Sequence, residues 1–290
     1  MTDSELTHTR RFRLSAPYDS AGVLAYLSTR AIPGVETVGG RTYARTVSDA
    51  GAGGLVKLAV SDSAKSLALT TSAAGLARSR IVERRIRRLF DLRPCAHDAA
   101  SQLERDRKLA PVLRRLPGLR VPGAWDGFEL AVRAVLGQQV SVKGATTLAG
   151  RLVQAFGRPA GGAVYYFPTP ERLASANISA LGMPRARGRA INALAAAVHA
   201  GDVSFDRAKS TEALQADLVS LPGIGPWTAQ YVAMRALHEP DAYPATDLGL
   251  LRAAERLGLP HTARALERHA ERWRPFRAYA VMALWRSEAL

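Results

Sequence analysis

Reactive potential in this 290-residue chain concentrates in one stretch, Leu221-Pro222-Gly223-Ile224-Gly225-Pro226-Trp227-Thr228. A helix is predicted to end near Ser220. Pro226 suits the first position of the next helix, where a missing N–H costs little. Gly223 and Gly225 permit tight turning between them and leave backbone N–H groups unshielded. N–H groups at a helix start make a site for phosphate. Such a helix–hairpin–helix can hold a phosphodiester backbone without reading bases, although a plain connection between packed helices would look similar. Trp227 and Tyr231 stand four apart and share a helix face, either as a core pair or as the wall of a pocket. Asp247 precedes Leu248-Gly249-Leu250-Leu251 and reads as an N-cap, a position that favours a negative carboxylate.

Composition supplies a partner for this hairpin. Lys+Arg is 40 and Asp+Glu is 25, a net charge of +15, and 35 of the 40 cations are Arg. That balance points to a polyanion: nucleic acid, or an anionic membrane surface. Arg suits bidentate phosphate contacts, though an Arg-rich coding bias would also raise its share. The single cysteine, Cys95, excludes an intrachain disulfide, a cysteine-cluster zinc site and a four-cysteine iron–sulfur cluster. Met1 to Arg13 has no apolar run and no stretch nears ~20 apolar residues, so the sequence predicts no secretory signal and no membrane span. The expectation is a cytoplasmic, basic monomer. The six histidines (His8, His97, His199, His238, His261, His269) show no metal spacing and read as solvated. Arg84-Arg85 and Arg87-Arg88 read as the solvated face of an amphipathic helix.

Elements that must position these residues follow from periodicity. Strands are predicted over 11–14, 42–47, 55–60 and 66–70, with Gly51-Ala52-Gly53-Gly54 as a hairpin loop. A helix starts after Asp19 or Ser20, and another pattern runs from Ala74 to Leu92. Arg114 to Gly123, with two Pro and two Gly, reads as a linker. Beyond it nearly everything reads as helix: 125–137, 142–156 capped by Ser141, 170–176, 178–181, 185–199, 211–220, 226–237, 248–257, 262–273 and 276–289. The predicted class is α+β, mostly helical. An antiparallel-sheet-plus-helix domain over 1–115 precedes an all-α domain over 116–290.

The hairpin resembles that of the HhH-GPD family of DNA glycosylases. That family's catalytic aspartate lies roughly twenty residues beyond the hairpin, where Pro244-Ala245-Thr246-Asp247 stands here. The closer resemblance is to the AlkA-type 3-methyladenine DNA glycosylase II, and it runs through nearly the whole chain. It is carried by Tyr18-Asp19, Val35-Glu36-Thr37-Val38, Arg88-Leu89-Phe90-Asp91-Leu92, Pro117-Gly118-Leu119-Arg120, Leu136-Gly137-Gln138, Phe167-Pro168-Thr169-Pro170 and Leu181-Gly182-Met183-Pro184, among others.

The resemblance implies excision of alkylated bases from double-stranded DNA, with Asp247 as catalytic residue. A carboxylate beside the sugar stabilises an oxocarbenium-like transition state or orients water. Trp227, Tyr231 and Trp285, with Tyr26 and Arg30, would line the base pocket, whose aromatic faces attract cationic alkylated purines. Trp227 stands where strand-nicking relatives carry the lysine that forms a Schiff base, and Lys143 and Lys209 do not match it. A monofunctional enzyme that leaves an abasic site is therefore expected. Gln139 falls at the position of the family's apolar wedge, beside Gln138 and Val140. These three, with Gly223, Ile224, Gly225 and Thr228, form the expected DNA contact. No cofactor is required, and the backbone carbonyls of Val219, Leu221 and Gly223 match a monovalent-cation (Na+ or K+) site. Two other readings fit hairpin and charge: a non-catalytic binder of damaged DNA, and a regulator with a generic basic face.

Overall fold

The computed structural model describes residues 8–49, 52–72, 74–205 and 210–288. Strands β1 (His8–Arg13), β2 (Glu36–Gly39), β3 (Thr42–Asp49), β4 (Ala52–Val60) and β5 (Ser66–Thr71) form one antiparallel sheet in the order β1-β5-β4-β3-β2. Alternation in β5 turns Leu67, Leu69 and Thr71 inward. Helix α1 (Ser20–Arg30) starts at Asp19, whose carboxylate accepts the Gly22 N–H at 2.8 Å. The helical stretch expected from residue 74 divides into α2 (Ala74–Arg78) and α3 (Arg80–Leu89), because Ser79 caps the second piece. Of the hairpin loop expected at 51–54, Gly51 lies outside the described residues, and Ala52, Gly53 and Gly54 pair with Asp49, Ser48 and Val47. Those glycines mark close approach instead of a turn. A Cβ on Gly53 would lie 2.3 Å from the Tyr166 hydroxyl, and one on Gly54 would lie 2.7 Å from Leu76.

Helices α4 (Ala96–Leu103) and α5 (Ala110–Arg114) lead to α6 (Gly127–Leu136), capped by Asp126, and α7 (Val142–Phe156), capped by Ser141. A short hairpin, β6 (Arg158–Gly161) and β7 (Val164–Tyr166), then interrupts a region expected to be all helical. Its strands are too short to show a period of two. They are held by the other domain: Tyr165 N–H donates to Gly34 O at 2.8 Å, and the Thr46 hydroxyl donates to Tyr165 O at 2.6 Å. Then come α8 (Pro170–Ala174), a 3-10 turn at Ile178–Leu181, α9 (Arg185–Ala200), α10 (Thr211–Val219) and α11 (Pro226–Val232). The last continues as a π-helical stretch, Ala233–Leu237. Helices α12 (Leu248–Arg256), α13 (Ala263–Ala270) and α14 (Arg277–Ser287) complete the described chain.

Three buried clusters organise the described residues. One fills the inner sheet face with Phe12, Leu27, Val56, Leu69, Ile86 and Trp125. The second joins α6, α7, α9 and the hairpin helices through Val132, Leu152, Ile191, Leu218, Ile224 and Val232. The third joins α4 and α5 to α12–α14 through Leu103, Leu113, Leu250, Trp273 and Tyr279. The expected linker is packed: Leu116, Leu119 and Val121 are buried, and Arg120 donates to the carbonyls of Ser15, Pro17, Gly118 and Leu119. Its Pro and Gly serve a compact turn, and buried carbonyls need donors.

A buried ionic cluster ties sheet to helices. Arg45 reaches Glu129 at 2.6 Å and Glu36 at 3.5 Å, Tyr43 Oη donates to Glu36 at 2.6 Å, and Arg133 pairs with Glu36 at 3.2 Å. Arg133 also donates to the Arg30 carbonyl. The C-terminal turn of α1 is thereby fixed against α6. Two histidines expected in solvent are built in. His269 meets Asp106 at 2.7 Å, and His238, 3% exposed, contacts Val121 O at 3.0 Å.

Candidate active site

The hairpin between α10 and α11 turns at Gly223, whose φ of +79° favours glycine. A Cβ there would meet Ala190 at 2.8 Å, so α9 also needs the glycine. Ile224 points inward, 4% exposed, and plugs the hairpin into the second core. Its side chain anchors the turn, while Pro222, Gly223, Gly225 and Pro226 are exposed. Gly225 caps α11 with no side-chain hydrogen bond, so no side chain blocks the N–H groups that open the helix.

Gln138 couples this hairpin to the turn between α6 and α7. Its Nε2 donates to Gly223 O at 2.9 Å and to the Thr228 hydroxyl at 3.2 Å. Since Gly223 O can only accept, the amide orientation is set. Arg187 donates to the Gln138 carbonyl at 2.6 Å. With Gln138 held, Gln139 adopts φ +56° and is exposed beside Val140, which is 39% exposed. A non-glycine residue in the left-handed region stores strain. Thr228, 3% exposed, serves as the acceptor for Gln138 and not as an open contact. The Leu221 carbonyl accepts the Ile224 N–H at 3.2 Å, and Val219 is 43% exposed.

Asp247 stands at the centre of the aromatic residues named from the sequence. As N-cap of α12, its Oδ1 accepts Leu250 N–H at 2.7 Å and the Trp285 indole at 2.9 Å. Its Oδ2 accepts the Trp227 indole at 2.9 Å. All three partners donate, which matches the acceptor-only character of an ionised carboxylate. Gly249 makes room, since a Cβ there would lie 3.2 Å from Oδ1. Trp227 stacks on Tyr231 with ring centroids 5.4 Å apart and planes 9° from parallel. Tyr231 and Trp285 lie 6.5 Å apart at 55°. From α1, the Tyr26 hydroxyl meets that of Tyr231 at 3.2 Å, and Arg30 lies over the Tyr26 ring at 4.2 Å. Burial raises the Tyr26 phenol, but Arg235, Arg30, the Tyr231 hydrogen bond and Arg133 together outweigh it and hold the phenol below its usual value. Burial and the neighbouring Tyr26 raise that of Tyr231.

Arg235 is the residue that sequence reasoning missed. It is 1% exposed, and its guanidinium lies 4.4 Å from the Tyr26 ring centroid and 5.7 Å from those of Tyr231 and Trp285. One signal was present: Arg235 continues the spacing of four from Trp227 and Tyr231, inside an otherwise apolar run. Lys143 is exposed on α7, and Lys209 lies outside the described residues. Among the described residues no group of three His, Cys, Asp or Glu is arranged to hold a metal.

Comparisons with known proteins identify the family. Residues 9–126 match the AlkA N-terminal domain, and residues 132–276 match the HhH-GPD superfamily base excision DNA repair proteins. The chain is 41% identical over 98% of its length to a probable bifunctional transcriptional activator/DNA repair enzyme AlkA of Mycobacterium tuberculosis, and spans 58% of that relative's length. It is 35% identical to DNA-3-methyladenine glycosylase 2 of Escherichia coli, covering 94% of this chain and 95% of that one. A solved 3-methyladenine DNA glycosylase from Archaeoglobus fulgidus shares the fold, with a TM-score of 0.85 at 22% identity, covering 97% of this chain and 99% of that one. This chain belongs to the HhH-GPD superfamily of base excision DNA repair proteins, in the branch that carries an AlkA N-terminal domain.

Proposed function

We propose that this protein is a monofunctional DNA glycosylase that hydrolyses the N-glycosidic bond of alkylated purines in double-stranded DNA and leaves an abasic site. The single observation that carries the reading is the three-donor hold on Asp247, inside a wall of stacked aromatic faces. An extruded base stacks on Trp227, Tyr231 and Trp285 while its sugar approaches Asp247. As the bond to the base breaks, positive charge develops on the sugar, and the fixed carboxylate stabilises it. Three N–H donors already occupy most of the carboxylate's acceptor sites. That favours an electrostatic role over proton abstraction, with the carboxylate orienting the attacking water.

Trp227 takes the place of a Schiff-base lysine, and its indole N–H is committed to Asp247. Hydrolysis, with no covalent adduct, follows from that replacement. The hairpin backbone at Gly223 and Gly225 grips the phosphodiester chain, and Gln139 or Val140 fills the gap left by the flipped base. The arginine excess supplies sequence-independent attraction. No cofactor takes part. A sodium or potassium ion on the carbonyls of Val219, Leu221 and Gly223 would use the lone pairs that Ile224 and Gln138 leave open on the last two. The protein acts as a cytoplasmic monomer, and among the described residues no helix is long and apolar enough to cross a membrane.

The test is release of 3-methyladenine from alkylated duplex DNA, with strand breaks scored before and after alkali. Base release with breaks only after alkali supports the proposal. Tight binding to the lesion without release would make the protein a damage binder, and a borohydride-trapped adduct would overturn monofunctionality.

A further inference from the structure

Arg235 is a cation buried without a carboxylate. Its Nη1 donates to Pro122 O at 2.5 Å, its Nη2 points at Met282 Sδ at 3.0 Å, and its Nε has no hydrogen-bond partner. Among the described residues it forms no ion pair. Burying an unpaired charge is costly, and a single carbonyl, Pro122 O, is the oxygen acceptor it meets among the described residues. What surrounds the guanidinium is informative: three of the four rings at the proposed base pocket, Tyr26, Tyr231 and Trp285, lie within 6 Å of it. Arg30 supplies a second guanidinium to the Tyr26 ring.

Aromatic faces attract cations, so an empty cage of this kind would favour a positively charged base. This cage already has a cation behind it. A base stacked on the open side meets ring faces polarised towards Arg235 and feels its charge through a water-excluded wall, where Coulomb forces reach further than in solvent. Among the described residues Asp247 is the only carboxylate hydrogen-bonded to the pocket rings, through the Trp227 and Trp285 indoles, whereas Arg235 and Arg30 both lie over the Tyr26 ring. The Tyr26 phenol is held below its usual value in spite of burial by Arg235, with Arg30, the Tyr231 hydrogen bond and Arg133 acting in the same direction.

We propose that Arg235 is a specificity-determining residue: its buried charge offsets the pull of the aromatic cage on cationic bases, so that neutral lesion bases compete for the pocket. This rests on the glycosylase reading. It adds that discrimination comes from stacking and leaving-group quality more than from base charge.

The experiment compares single-turnover release of cationic 7-methylguanine and neutral hypoxanthine from otherwise identical duplexes. Arg235→Gln removes the charge and keeps a donor for Pro122 O. It is expected to raise the ratio of 7-methylguanine to hypoxanthine release by about 10-fold, the size of a unit charge acting across roughly 9 Å at intermediate dielectric. Arg235→Lys keeps the charge and should leave the ratio within about 3-fold of wild type, on the ordinary uncertainty of such replacements. Arg30→Gln, at a half-exposed position, gives a variant that folds independently of the buried site and should move the ratio in the same direction by a smaller factor. Equal losses on both bases in Arg235→Gln, or an unmoved ratio in Arg30→Gln if the first variant does not fold, would overturn the inference. Wild-type protein that releases neither base would instead overturn the glycosylase reading, which keeps the two failures apart.

Discussion

Among the described residues two aspartates accept a tryptophan N–H, Asp106 in a closed cluster and Asp247 at the proposed site. Asp106 takes the Trp273 indole at 2.9 Å, His269 at 2.7 Å and the Lys108 N–H at 2.9 Å. It is 7% exposed, and Trp273 is 1% exposed. Asp247 takes two indoles and the Leu250 N–H, yet it and both tryptophans are only partly buried, and exposed Leu248 adjoins it. The donor chemistry is nearly the same, so hydrogen bonding to an aspartate does not mark a site. What differs is the far side of the rings. Trp273 meets Tyr243 and His269 edge-on inside a closed cluster. Trp227 presents the parallel face of a stack whose other members lead to α1 and to Arg235.

The comparison breaks most sharply on activity. Asp247→Asn keeps a good N-cap but turns an amide N–H towards an indole donor at a partly exposed position, so it should cost about 10²-fold or more in base release and only about 1 kcal/mol of stability. Near-normal release would remove Asp247 from the mechanism. Asp106→Asn should do the reverse. It forces an amide N–H against the Trp273 or Lys108 donor and should cost on the order of 2–3 kcal/mol of stability, read by urea unfolding. Release per folded molecule should stay near wild type.

A pH series sharpens the contrast further, because the closed region carries a buried titrating group. Burial pushes the His238 imidazole down to about 4, against an ordinary 6.5. As pH falls through that window the unfolded chain takes up a proton that the folded chain refuses. Stability should therefore drop between pH 6.5 and about 4, by on the order of 3 kcal/mol. Above that window His238 is neutral in both states and contributes no slope. Asp91, buried beside it and held low against burial by His238 and Arg93, loses its contribution at still lower pH, in the same direction. His238→Gln should flatten the dependence across the window, and an unchanged slope would assign it elsewhere. The smallest expected effect tests the coupling of the two turns. Gln138→Ala frees the Gly223 carbonyl and should cost about 1 kcal/mol, seen as roughly 5-fold weaker duplex binding with base release from bound DNA unchanged.

Local chemistry made part of this molecule legible in advance. Asp19, Ser141 and Asp247 were readable as helix starts because an N-cap needs only a short polar side chain at the right place. The Trp227–Tyr231 face followed from a spacing of four. The β6–β7 hairpin was not readable, since its strands are stabilised by Gly34 and Thr46, more than a hundred residues away in sequence. The packing of the linker was not readable for a related reason: Arg120 satisfies the Gly118 and Leu119 carbonyls, and those of Ser15 and Pro17, with a side chain that composition would place in solvent. Arg235 shows the limit most plainly, as one arginine among thirty-five.

The sequence by itself determined the hairpin, the charge and the absence of a cysteine cluster, because each is a matter of residue type at short range, and the family resemblance marked the aspartate twenty residues on and the tryptophan in place of lysine. Only the tertiary structure decided that Trp227 from α11 and Trp285 from α14 share one carboxylate, and that Tyr26 from α1 and Arg235 from the π-helical turn meet the rings beside them. Long-range packing sets those contacts. The Arg45–Glu129–Glu36–Arg133 cluster locks the sheet domain to α6 and holds the end of α1 over the rings. Whether a given arginine meets DNA, pairs with a carboxylate or lies buried behind an aromatic wall depends on that packing and not on the residue's type.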